Sequence, residues 1–262
     1  MQHLSPATRH IKKMDLTILG AGTAIPTPQR SPAGVLVRIG TTPLLFDIGP
    51  GTMARLGLAG VSCRDLEYVF LTHLHSDHTL DLATFLQIND STPGWTRTRP
   101  IHLMGCRGTQ RFYDQLMQVY PEISPQSYTI DICEVATERI AFDGWAIETA
   151  KTQHTGSSIA YRIEAEGHVI VYTGDATENL ELVRIAQDAD VFVCECAFPS
   201  GYPTDDHMTA DAVGRVAQMA QVKQVVLNHL YPPALEVDIV AQVRAIFDRE
   251  IVVAIDGMRI IV

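Results

Sequence analysis

The chain has 262 residues, 46% of them hydrophobic, and 20 basic against 30 acidic side chains leave a formal net charge of −10. This composition supplies a sizeable core and excludes a generally polyanion-binding surface, although a local basic groove is compatible with it. No stretch approaches the roughly 18 apolar residues of a membrane span, and residues 1–13 place no apolar run after their lysines, so a cytoplasmic location is expected. Five cysteines (Cys63, Cys106, Cys133, Cys194 and Cys196) do not resemble a disulfide framework.

In chain order, residues 1–13 read as a loose extension of a single domain covering 1–262. Residues 14–20, 34–39 and 43–47 read as strands separated by Gly/Pro turns. Residues 68–72 form a short apolar strand, followed by helical patterns over 79–89 and 106–119. Residues 158–164 and 168–173 straddle Glu166 and Gly167 as a hairpin, and Thr177 is the expected N-cap of the next helix. Strand 191–195, helix 209–220, strand 224–228 and helix 237–248 complete the chain. Along 191–195, Cys194 and Cys196 share one face and Glu195 takes the other. Strands in hairpin clusters and strands alternating with helices fit an α/β sandwich better than an open parallel sheet.

The chemistry concentrates in THLHSDH, residues 72–78. Three histidines and an aspartate on a tight strand-to-helix turn converge imidazole nitrogen and carboxylate oxygen, which suit Zn²⁺; His73 and His75 can serve one ion, Asp77 and His78 a second. Further metal-competent side chains stand where other apolar strands meet loops: His154, Asp175 and His229.

The H-x-H-x-D-H run resembles the signature of metallo-β-lactamase-fold hydrolases, and the later residues match that family's further motifs in order. The resemblance implies a four-layer αββα sandwich with two mixed sheets flanked by helices. It also implies that His73, His75 and His154 hold one metal, that Asp77, His78 and His229 hold the other, and that Asp175 bridges both. Asp47, in LLFDIGPG, corresponds to an aspartate that supports the ligand loop. Within the superfamily the sequence is most similar to ribonuclease Z. Glu195 and the histidine-led segment from His207 resemble that subfamily's orienting acid and its proton donor, which makes Asp77, Glu195 and His207 the catalytic candidates. Two departures stand out. The subfamily's tRNA-gripping arm falls between His154 and Asp175, where residues 155–174 suffice only for a hairpin, and Asp81 replaces a frequent glycine. Asp81 is expected to act on a helix N-terminus or to back up a ligand histidine.

These residues imply a dinuclear-metal phosphodiesterase with two zinc ions, manganese or iron suiting the same ligands. A small-molecule or nucleotide phosphodiester is the expected substrate, and RNA, given the charge and the missing arm, is not favoured. Competing readings are tRNA 3′ processing, hydrolysis of carboxylic, thio- or sulfate esters, a diiron protein, and a non-catalytic metal-binding scaffold. Phe198, Tyr202 and Tyr231 are candidate pocket walls. Trp95, Arg97 and Arg99 suggest a lid or subunit contact, and the resemblance implies a homodimer without a membrane partner.

Overall fold

The structure is a computed structural model that describes residues 14–25 and 27–262; the expected N-terminal extension lies outside the described residues. The first half contributes β1 (Met14–Gly20), β2 (Gly34–Ile39), β3 (Thr42–Phe46), α1 (Thr52–Leu58), β4 (Tyr68–Leu71), α2 (Ser76–Thr79), α3 (Asp81–Ser91), β5 (Ile101–Gly105), α4 (Thr109–Val119) and β6 (Ile130–Glu134). The second contributes β7 (Arg139–Phe142), β8 (Trp145–Lys151), β9 (Ile159–Ala165), β10 (His168–Tyr172), α5 (Leu180–Ala186), β11 (Val191–Glu195), α6 (Ala210–Met219), β12 (Gln224–Asn228), α7 (Pro232–Leu235), α8 (Ile239–Arg244), β13 (Glu250–Val253) and β14 (Arg259–Ile261).

Two seven-stranded mixed sheets result, ordered β14-β1-β2-β3-β4-β5-β6 and β13-β12-β11-β10-β9-β8-β7. Strand alternation explains the layering. Leu16, Ile18, Val35, Val37, Phe46 and Phe70 of the first sheet meet Ile147, Tyr161, Ile163, Ile170 and Val193 of the second in one inner core. The opposite residues of the first sheet, such as Leu19, Leu36, Leu45 and Val69, pack under α1 and α3. Phe192, Cys194 and Val225 of the second sheet pack under α5, α6 and α8. The expected four-layer αββα sandwich is the fold. Among the described residues no helix is long and apolar enough to cross a membrane.

Several boundaries differ from the sequence reading for local reasons. The first helical pattern is split at Leu80, where the chain passes from α2 into α3. Thr177 is not the cap of the next helix: Asn179 is, its side chain accepting the amide of Leu182. The expected helix over 237–248 is shortened to 239–244, starting at Asp238, whose carboxylate accepts the amide of Ala241. Between His154 and Asp175 the chain forms only β9 and β10. Their two-residue turn has Glu166 and Gly167 both at positive φ, the geometry that closes a tight hairpin.

Candidate active site

The site sits where strand ends of both sheets meet. Residues 72–78 leave the C-terminal end of β4, and His229 follows β12, its backbone at φ 52. Asp175 follows β10 after Thr173 and Gly174, and His154 lies in the loop between β8 and β9. Parallel pairing of β10, β11 and β12 brings Asp175, Glu195 and His229 to one edge of the second sheet.

Every predicted ligand converges there. His73, His75, His154 and Asp175 place one donor atom each within 4.8 Å of one another, as do Asp77, His78 and His229. Asp175 faces both groups. Its Oδ2 lies 3.8 Å from His73 Nε2 and 3.5 Å from His154 Nε2, and its Oδ1 lies 3.3 Å from His78 Nε2 and 3.4 Å from His229 Nε2. His154 Nε2 is 3.1 Å from His75 Nδ1, and Asp77 Oδ2 is 3.4 Å from His229 Nε2. Donors held at about 2.0–2.1 Å around a tetrahedral zinc stand about 3.3 Å from one another. The cradle therefore fits metal ions on its own dimensions. His73 Nε2, His78 Nε2 and Asp175 Oδ1 are buried with no hydrogen-bond partner among the described residues, which a cation would satisfy.

Hydrogen bonds behind the ligands aim the inner nitrogens at the cradle. His73 Nδ1 is 3.0 Å from Thr72 Oγ1, and His78 Nδ1 is 2.7 Å from Asp47 Oδ2. His154 Nδ1 donates to the carbonyl of Asp206 at 2.8 Å. Each arrangement leaves Nε2 free for a metal. Asp47 is fully buried and also accepts the Thr72 amide, the Thr72 hydroxyl and the Tyr172 hydroxyl, each at 2.8 Å. These contacts tie Asp47 to the ligand loop at Thr72 and His78. Thr72, Tyr172 and the Asp206 carbonyl were not singled out from sequence. Thr72 opens the signature run, whereas nothing local to Tyr172 announces its partner.

Charge is distributed unevenly across the histidines. Burial, and then the neighbouring His78, push His73 down to about 2. Burial also works against charge on His229, but Asp175, Asp77 and Glu195 outweigh it and raise this imidazole to about 10. The raised His229 value reflects the carboxylate charge gathered at the cradle, which a bound cation would offset in place of the proton.

Glu195 and His207 complete the site. Glu195 is buried, and its Oε2 accepts the amides of Ala176 at 3.0 Å and Met208 at 3.1 Å. Its Oε1 meets His207 Nδ1 in a short contact. Burial lowers the His207 pKa, but the hydrogen bond that its Nδ1 donates to Glu195 reverses this and holds it above the ordinary imidazole value. The His207 ring lies 4.9 Å from that of His154. Phe198 stacks between Tyr202, at 4.2 Å, and Tyr231, at 5.2 Å, and Tyr231 stands 5.4 Å from His207. The three candidate wall residues thus form one rack beside the histidine.

Other expectations separate from the site. Asp81 acts on a helix N-terminus, though on that of α1 and not its own: its Oδ2 accepts the Met53 amide at 2.9 Å. The lid reading of Trp95–Arg99 is overturned. Arg97 is buried, donating to Asn89 Oδ1 and to the carbonyls of Cys63 and Leu66 before β4, at the strand end opposite the ligand loop. Cys194 and Cys196 are buried under the helices, as the alternation of β11 requires.

A family model described as β-lactamase superfamily domain matches residues 42–230, and the chain belongs to that superfamily, here with the metallo-β-lactamase fold. Within the superfamily it is a ribonuclease Z-like protein. It is 31% identical over 199 residues to the ribonuclease Z of Mycobacterium bovis, covering 69% of each chain. An uncharacterized protein of Mycobacterium leprae is 28% identical over 254 residues, 92% of this chain and 86% of the relative. Among solved structures, the metallo-β-lactamase fold protein YhfI of Bacillus subtilis superposes with a TM-score of 0.84 at 22% identity, covering 96% of this chain and 100% of that one. Human tRNase Z, short form, gives 0.77 at 21%, covering 94% and 98%. A diphosphatase from the PhnP family gives 0.70 at 19%, covering 94% and 97%.

Proposed function

We propose that this metallo-hydrolase is a phosphodiesterase holding two zinc ions. His73, His75 and His154 would hold one, Asp77, His78 and His229 would hold the other, and Asp175 would serve both. When bound, the ions supply the positive charge that acidifies water and offsets charge on the phosphoryl oxygens. The chain's own residues do the rest. Glu195 fixes the His207 tautomer through Nδ1, leaving Nε2–H to protonate the departing alkoxide. Asp77 and Asp175 set the charge of the cradle, and Asp47 holds the ligand loop through Thr72 and His78. Phe198, Tyr202 and Tyr231 line the side on which His207 stands and offer an apolar face to the leaving group.

The observation that carries this reading is the Glu195–His207 pair set beside His154 and Asp175. An acid aimed into a metal cradle suits an alcohol leaving group, as in a phosphodiester, better than the amide of a lactam. The relatives named ribonuclease Z favour RNA as a second reading. The two-residue turn between β9 and β10 leaves no arm at that place to grip a tRNA, so we favour a smaller diester.

The test is hydrolysis by zinc-loaded protein of an alkyl diester and of bis(p-nitrophenyl) phosphate. His207→Ala is expected to lower kcat on the alkyl diester by about 10²–10⁴-fold, the usual worth of a general acid, and far less on the nitrophenyl ester, whose leaving group needs no proton. Equal losses on both esters would remove His207 from that role, and no turnover of either would sink the diesterase reading.

A further inference from the structure

The two sides of the cradle differ in chemistry. The second sheet brings His207 and the aromatic rack, so the leaving group belongs there. The first sheet brings the ligand loop and, beside it, a turn that the mechanism above does not use. β4 and β5 run parallel with Leu71 opposite Gly105, so residues 72–78 and 106–108 leave the sheet side by side. Gly108 sits against the ligand loop, a Cβ there falling 3.4 Å from Leu74 Cδ1, between His73 and His75. Cys106 Sγ lies 3.7 Å from Ser157 Oγ, in the loop that follows His154. The turn 106–108 that carries Arg107 therefore adjoins both loops that supply His73, His75 and His154.

The turn that carries Arg107 is fixed. Thr109 Oγ1 donates to the carbonyl of Cys106 at 2.7 Å, and Glu134 Oε1 accepts the amides of Gly108 and Gln110, both at 3.0 Å. The nearest carboxylate in sequence register is thus engaged with backbone. Arg107 itself is exposed and, like Arg111 on the following helix, its guanidinium makes no hydrogen bond or ion pair among the described residues. Most surface arginines elsewhere are satisfied: Arg139 meets Glu164, Arg184 meets Glu148 and Glu181, and Arg215 meets Glu178 and Asp211. On the His207 side the preceding loop exposes two acidic residues, Asp205 and Asp206. A free guanidinium on a rigid turn that adjoins the ligand loop is suited to bind phosphate oxygens through paired N–H donors.

We propose that Arg107 is a specificity-determining residue that binds a second phosphate of the substrate, one flanking the scissile diester on the half retained after cleavage. This rests on the diesterase reading and narrows it to phosphodiesters carrying an additional anionic group. A short nucleotide ester or a polynucleotide chain both present such a group.

The experiment compares two chromogenic esters on zinc-loaded protein: p-nitrophenyl thymidine 5′-phosphate, and the same ester bearing a 3′-phosphate. The 3′-phosphate is expected to raise kcat/KM by about tenfold, the scale of one exposed charge-assisted contact. Arg107→Gln is expected to bring that ratio close to one, and Arg107→Lys to restore most of it. A thymidylate oligonucleotide with the same nitrophenyl end separates the sources. A gain equal to that of the single 3′-phosphate means a short ester suffices, whereas an Arg107-dependent gain that grows with length means a chain is read. A ratio near one in the parent protein, or a ratio that survives Arg107→Gln, overturns the proposal. If neither ester is cleaved, the diesterase reading has failed and equilibrium titration decides the subsite. Thymidine 3′,5′-bisphosphate binding tighter than thymidine 5′-phosphate, with the advantage lost in Arg107→Gln, upholds it; equal affinities overturn it.

Discussion

Asp47 stands behind the ligand loop at φ 55, in the left-handed region that Asp and Asn tolerate better than most residues. Its Oδ1 takes the Thr72 amide, and its Oδ2 takes the Thr72 hydroxyl, His78 Nδ1 and the Tyr172 hydroxyl. Asp47→Asn keeps size and backbone preference but turns one acceptor oxygen into a donor. Whichever way the amide turns, it meets an N–H or O–H that also donates. The substitution is expected to weaken zinc binding about 10–100-fold through the misdirected His78, measured by competition with a chromogenic chelator. Parent-like affinity would show that the ligand loop holds itself. At this scale the sequence was informative about which donors converge and poor about what stands behind them. His73, His75, Asp77 and His78 are legible because four donors crowd one turn. Asp47 is legible only through its motif, and Tyr172 not at all, because its hydroxyl meets Asp47 across the gap between the sheets.

Among the elements, the turn after β10 shows how closely its backbone approaches the Thr72 side chain at this site. Gly174 has φ +56, and a Cβ there would lie 2.5–2.7 Å from Oγ1, Cβ and Cγ2 of Thr72. Gly174→Ala must therefore accept a left-handed alanine and displace either Thr72 or Asp175. The combined cost is about 2–4 kcal/mol, which for a chain of this size lowers Tm by roughly 5–15 °C. A thermal melt of the metal-free protein checks this, and an unmoved midpoint would mean the turn is free to relax. Glycines at such turns can be read as punctuation, but which neighbour demands them cannot. Two of the strands missed from sequence share a cause: β6 and β7 each lie at an edge of their sheet and are largely exposed, so they lack the apolar alternation that reveals β10 or β11, whereas β5 and β8, also missed, are largely buried. Conversely, α6 was legible because one buried stripe runs its whole length, and the hairpin of β9 and β10 because its turn residues are specific.

The whole molecule is closed by its last residues. β14 returns from the second half to pair with β1 in the first sheet, and Asp256 just before it accepts the amides of Ala21 and Ser31. That crossing could not be read from sequence, since residues 259–261 are too short to carry a pattern. Asp15 on β1 is its electrostatic counterpart. It accepts from Arg38 on β2 and from Arg259 on β14, with Nη2 of each arginine 3.0 Å from its carboxylate. Burial works against charge on Asp15, but the hydrogen bonds from Arg259 and Arg38 outweigh it and hold the carboxyl below its ordinary value. A carboxyl whose folded pKa is depressed stabilises the fold fully above its unfolded value of about 3.9, and this contribution is lost as pH falls through the folded value. Asp15→Asn is therefore expected to be less stable than the parent at pH 7. The gap should be about 1 kcal/mol and no more, because Arg259 is open to solvent and screening weakens its half of the contact. Urea titrations of the metal-free proteins at pH 7 and pH 5 should give the same gap, and below about pH 4 it should shrink towards zero. A gap that persists undiminished at pH 3 would mean that Asp15 joins the chain ends by shape and hydrogen bonding alone, and that its charge contributes nothing to holding β14 against β1.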